Sequence, residues 1–159
     1  MATSRVTDKD KGWARLLKTA AAPGVQLAVG IINDVEHKDG NGKTVGEIGE
    51  IHELGLGNNP ARPWLRPVVD GRASHIKAYE QRIAEAVVQG KVTPEAGMNL
   101  LGLELVGMVK ARIQHGIAPQ LQPATIARKG GKATPLIYTS QFIGSITHKV
   151  KPLAKGKLV

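Results

Sequence analysis

The chain has 159 residues, enough for one domain with a real core and too few for two. It contains no cysteine and only two Trp, two Tyr and one Phe, so a disulfide framework, a zinc ribbon and a thiol nucleophile are excluded, and the core must come from Ala, Val, Ile and Leu. The net charge of +9 belongs to the final third: thirteen Lys plus Arg balance thirteen Asp plus Glu up to Val109, after which nine cations and no carboxylate follow, Glu104 being the last. Such one-sided charge suits either a solvated tail or a polyanionic or acidic partner. The first residues, MATSRVTDKDKGW, are polar where a signal peptide is apolar, and no apolar run is long enough to span a bilayer. A soluble, intracellularly made protein with no membrane partner is the expectation.

In chain order, residues 8 to 21 place Trp13, Leu16, Leu17 and Ala20 on one stripe of a helix that Pro23 and Gly24 end. VQLAVGII, residues 25 to 32, predicts a buried strand. The polar stretch to Lys43 contains DGNG at 39 to 42 and predicts a turn. Thr44 opens a short helix to Gly55 despite two interior glycines, because Val45, Ile48 and Ile51 keep helical spacing. GLGNNPARPWLRP, residues 55 to 67, is a stiff extended connector, since Pro60, Pro63 and Pro67 each hold the preceding residue extended; Trp64 and Leu65 are its apolar plug. Arg62 and Arg66 are expected to face carboxylates or carbonyls.

One helix is predicted over 68 to 88, with Ile76, Ile83 and Val87 on its inner face and Gly90 as its cap. The next, opened by Thr93 and Pro94 and closed at Gly116, is apolar around nearly its whole circumference, and Gly97, Gly102 and Gly107 call for close approach by other backbone or side chains. The loop from Gly116 to Thr134 carries Pro119 and Pro123, is followed by Pro135, and holds the basic residues Arg128, Lys129 and Lys132; it predicts an arm with little structure of its own that orders against a neighbour. Residues 136 to 150 predict a helical turn running into a strand, and KPLAKGKLV, 151 to 159, a basic tail. The division expected is an N-terminal helix (1–24), an α+β domain (25–150) and the tail.

No catalytic constellation emerges. GNGKT at 40 to 44 lies where a phosphate-binding loop would, but His37 stands where that motif needs its first glycine. EIHELG begins like a zinc-protease helix, yet Leu56 occupies the position of the second histidine. Glu47, Glu50 and Glu53 recur on one helical face, where a solvated face is the expectation rather than an acid-base pair. No enzyme, metal or cofactor is therefore expected. The basic third has too few aromatics to stack bases, which leaves phosphate contact as its one route to nucleic acid.

Two stretches carry a resemblance. IGEIHELGLGNNPARPWLRPVVD (48–70) and ATPLIYTSQFIGSITHKV (133–150) resemble the signature segments of the tailed-bacteriophage neck or tail-completion family, also described as virion morphogenesis or minor tail proteins. The matching positions of the first are His52, Glu53, Leu54, Gly55, Pro60, Arg62, Pro63, Trp64, Leu65, Arg66 and Pro67; those of the second are Pro135, Leu136, Thr139, Phe142, Ser145, Ile146 and Thr147. The chain departs at Tyr138, where the family usually has Asp, and at Ser140, where it usually has Gly.

The resemblance implies an α+β domain, with a small antiparallel sheet packed against two long helices and an extended basic loop. It implies a structural virion protein that completes or joins the tail to the head as a ring around the DNA channel, sixfold favoured over twelvefold. Its partners would be connector or head-closure proteins, the tail terminator or tail tube, and genomic DNA without sequence preference. His52, Glu53, Arg62, Trp64, Leu65, Arg66 and Phe142 are then interface or structural anchors, and Arg128, Lys129 and Lys132 contact residues of the basic loop. The competing reading is a nucleic-acid-binding protein that contacts DNA phosphates through its C-terminal third.

Overall fold

A computed structural model describes residues 12–22, 24–38, 41–137 and 140–153. The start of the N-terminal helix, the DGNG tip at Asp39 and Gly40, the Tyr138 departure with Thr139, and the last six residues of the tail lie outside the described residues. The class is α+β, as expected: two strands form one antiparallel sheet, and helices make up most of the rest.

Helix α1 spans Trp13–Ala21 and strand β1 Val25–Ile31. A short hairpin follows, bridged between Glu36 and Thr44 and closed by the His37 N–H donating to the Lys43 carbonyl at 2.9 Å. Helix α2, Val45–Leu54, starts in a reciprocal capping box. The Thr44 hydroxyl accepts from the Glu47 N–H, and the Glu47 carboxylate accepts from the Thr44 N–H, so two orphan donors are satisfied at once. Gly55 ends α2 at φ +72°, where a side chain would be strained.

The helix predicted over 68 to 88 is two helices, α3 (Arg66–Gly71) and α4 (Ala73–Val88). The break falls at Arg72, at φ −117° and ψ 12°, just after Gly71 has weakened the helical run. Helix α5, Pro94–Gln114, is capped by the Thr93 hydroxyl accepting from the Ala96 N–H. The basic loop is less bare than its prolines suggest, since Pro123 opens a short helix α6 (Pro123–Arg128). Helix α7 (Gln141–Ser145) runs straight into strand β2, Ile146–Pro152.

Strand β2 pairs antiparallel with β1, from Ile31 opposite Ile146 to Val25 opposite Pro152. Lys151 and Pro152, assigned to the tail from sequence, thus belong to the sheet, and Leu153 donates to the Gly24 carbonyl beyond it. The sheet rests on α5, and α4 packs on α5 beside it. Buried Leu101, Leu105, Val109 and Ile113 form the inner stripe of α5. Gly102 admits the His148 and Leu27 side chains of the sheet, and Gly97 admits Ile83 of α4. Gly107 meets nothing and faces outward with Leu100 and Leu103.

Candidate functional site

The two resembling stretches meet in one core. Trp64 is 5 % exposed and Phe142 2 % exposed, and their rings pack edge to face with centroids 5.2 Å apart and planes at 85°. Val45, Val68, Val109, Ile113, Ile117 and Ile146 complete the cluster, with Leu65 partly buried against it. The interior glycine that weakens α2 explains the fit. A Cβ on Gly49 would meet Ile31, Trp64 and Phe142 at 3.2 to 3.3 Å, and the Gly49 carbonyl accepts from the Trp64 indole N–H at 2.9 Å.

Glu53 holds the proline segment to α2. Pro63 and Pro67 have no N–H, so they bracket the donors of Trp64, Leu65 and Arg66. Trp64 and Leu65 donate to one carboxylate oxygen of Glu53 at 2.7 and 2.9 Å, and Arg66 donates to the other at 2.9 Å. The Leu65 and Arg66 N–H groups are orphan donors at the start of α3 and that of Trp64 lies just before it, and one side chain satisfies all three. The Arg66 guanidinium adds a contact to Glu53 at 3.9 Å but is mostly exposed. Glu47 and Glu50 are solvent-exposed as expected, Glu47 also capping α2, and the expectation of a solvated face is corrected only at Glu53, which is partly buried and holds the start of α3.

Two further bonds fix the segment from its other sides. The Arg112 Nε of α5 donates to the Pro63 carbonyl at 3.0 Å, and the Arg62 N–H donates to the His52 carbonyl at 2.6 Å. The Arg62 side chain is only 5 % exposed. Its Nε donates to the Pro119 carbonyl at 2.7 Å and its Nη2 to the Gln120 carbonyl at 3.2 Å, so it meets carbonyls as the sequence led us to expect. The start of the basic loop is thereby clamped to the proline segment.

Beside this clamp lies a cavity of about 560 Å³. His52 from α2, Arg62 from the proline segment, Arg128 and Lys129 from the end of α6, and Phe142 from α7 all line it. Five of the ten residues singled out from sequence therefore share one cleft, while Glu53, Trp64, Leu65 and Arg66 form the framework behind it. Lys132 lies in the turn beyond α6. Sequence reasoning missed His37, Asn58, Asn59, Gln120 and Gln122, which also line the cleft; no spacing signal marks them, because the cleft is assembled from distant segments.

The electrostatics of the cleft are one-sided. Among the described residues no Asp or Glu lines it. Burial, aided by the Arg62 and Lys129 charges, pushes the His52 imidazole down to about 4, and its Nδ1 is buried without a hydrogen-bond partner among the described residues. Burial and then the charges of Lys132 and Arg62 lower Lys129, whose Nζ donates to the Thr134 carbonyl at 2.8 Å. Lys43 and Thr44 of the GNGKT stretch, by contrast, pair back onto His37 and Glu36 in the small hairpin, and Thr44 serves as a helix cap. Among the described residues no three His, Asp or Glu side chains gather as metal ligands would. No protein-family model, no characterised protein and no solved structure matches this chain.

Proposed function

We propose that this chain is a structural subunit of the bacteriophage head-tail junction, which works by assembling into a ring around the DNA channel and joining the tail to the head. The observation that carries this reading is that the two stretches resembling the family, 48–70 and 133–150, lie far apart in sequence yet build one unit, with Trp64 of the first packed on Phe142 of the second. A chance likeness of two unrelated segments gives no reason for them to meet.

A second observation agrees. Ser140, where the resemblance implies glycine, sits at φ +61°, in the left-handed region that glycine favours. A ring subunit also needs apolar surface for its neighbours, and Leu100 and Leu103 of α5 are 52 % and 59 % exposed beside the bare Gly107. Trp13 and Leu17 of α1 add to that surface at the other end of the chain.

Electron microscopy of the purified protein, alone and mixed with purified tails, tests the proposal. Rings or density added at the head-proximal end of the tail are expected, and Leu100→Glu with Leu103→Glu, both at exposed positions, should abolish them while leaving the fold intact. A protein that stays monomeric in both conditions and binds duplex DNA with a steep salt dependence would instead support the nucleic-acid reading.

A further inference from the structure

We propose that the cleft lined by Arg62, Arg128 and Lys129 is a docking site for an acidic peptide segment of an assembly partner, which supplies carboxylates that none of the described residues lining the cleft provides. The inference rests on the proposed function only in taking the partner to be a protein.

Among the described residues no carboxylate lies within ion-pairing distance of Arg62, Arg128 or Lys129. A buried cation in that position is costly unless it is hydrogen-bonded and paired. Arg62 is partly satisfied, by the Pro119 and Gln120 carbonyls. Its Nη1 has no protein partner among the described residues, and guanidinium geometry leaves that nitrogen's two N–H groups for an incoming carboxylate. Lys129 stands near two further cations, Arg62 and Lys132, which each oppose its charge. An anion in the cleft relieves Arg62 and Lys129 at once.

The shape selects a peptide over a nucleic acid. The cations converge on a recess whose walls include Ile48, Leu136 and Phe142, whereas a phosphate backbone is tracked by cations spread along an open surface. A volume of about 560 Å³ falls in the range that encloses a ligand-sized group. The side-chain amides of Asn58, Asn59, Gln120 and Gln122 around it offer both donors and acceptors to an extended backbone. Acidic side chains for the cations, an apolar one for the walls and a main chain for the amides describe one occupant.

The test is fluorescence anisotropy of the full-length protein with a labelled pentapeptide of alternating glutamate and leucine, acetylated and amidated at its ends. Saturable binding is expected, weakened about tenfold by Arg128→Glu. Lys91→Glu, which makes the same change of net charge at the opposite end of α5, should leave binding unchanged. Arg128 and Lys91 are both exposed, so neither variant threatens the fold.

Absence of saturable binding would overturn the proposal, as would equal weakening by the two variants, which would reduce the effect to net charge. Displacement of the peptide by inorganic phosphate at matched ionic strength would make this a simple anion site. Tighter binding of duplex DNA, lost in Arg128→Glu, would give the face to nucleic acid. Peptide titration reads the cleft alone, whereas ring formation reads the assembly, so either can fail without the other.

Discussion

Trp64→Ala removes the side chain on which both resembling stretches converge. The indole is 5 % exposed, packs against Gly49 of α2, and meets Phe142 edge on at 5.2 Å. Deleting a buried aromatic of this kind costs about 3 to 5 kcal/mol, cavity included. Against a total stability of about 5 to 15 kcal/mol for a domain, that is a large share, and it corresponds to a fall of roughly 6 to 20 °C in melting temperature at this chain length.

Thermal unfolding followed by circular dichroism measures the effect, and a double-mutant cycle with Phe142→Leu separates the pairing from the burial. A coupling of about 0.5 to 1.5 kcal/mol is expected for the edge-to-face pair. Trp64→Phe should fall between wild type and Ala, because it keeps a ring but leaves the Gly49 carbonyl without the indole donor. A melting temperature for Trp64→Ala within about 2 °C of the parent would refute the claim that this residue anchors the proline segment.

His52 and Ser140 give two further tests. Folding holds the His52 imidazole at about 4, mainly by burial and then through Arg62 and Lys129, against about 6.5 in the unfolded chain. The unfolded state therefore takes up the proton first, so the His52 contribution to stability falls as pH drops from about 6.5 towards 4 and levels off below it, by about 3 kcal/mol in all; urea titrations at several pH values should show a shallower loss in His52→Gln. Ser140 holds φ +61° and makes no capping bond with its side chain, so Ser140→Gly should stabilise by about 0.5 to 1 kcal/mol and Ser140→Val should destabilise. The opposite order in denaturant midpoints would show that the turn is not strained.

Much of the fold is legible in the sequence because its signals are local. Thr93 with Pro94 marks the start of α5, the Val-rich run marks β1, and the prolines mark an irregular connector, each through the backbone geometry of a few neighbouring residues. What is hidden is long-range. Nothing in VQLAVGII says that its partner is ITHKVKP, more than a hundred residues later, although the pairing decides where the basic third ends up. Glu53 is hidden for a related reason. Its three-residue spacing with Glu47 and Glu50 reads as a wet helical face, and only the fold brings the three amide donors between Pro63 and Pro67 onto it. The cleft is the extreme case, since its cations come from segments that no periodicity connects.

Helix α5 shows how the same sequence can specify a core and leave an apolar face exposed. Its apolar residues go almost all the way round, which for an isolated domain would be a liability. Two of its glycines settle two faces: at Gly102 the sheet comes close enough to seat His148 and Leu27, and at Gly97 α4 comes close enough to seat Ile83. Leu101, Leu105, Val109 and Ile113 fill the core between them. The third glycine, Gly107, seats nothing within the chain and lies on the face with exposed Leu100 and Leu103. Where the first two glycines admit a neighbour from the same chain, the third is open to solvent, and the ring assembly proposed above would need such a face on a rigid element rather than on a loop.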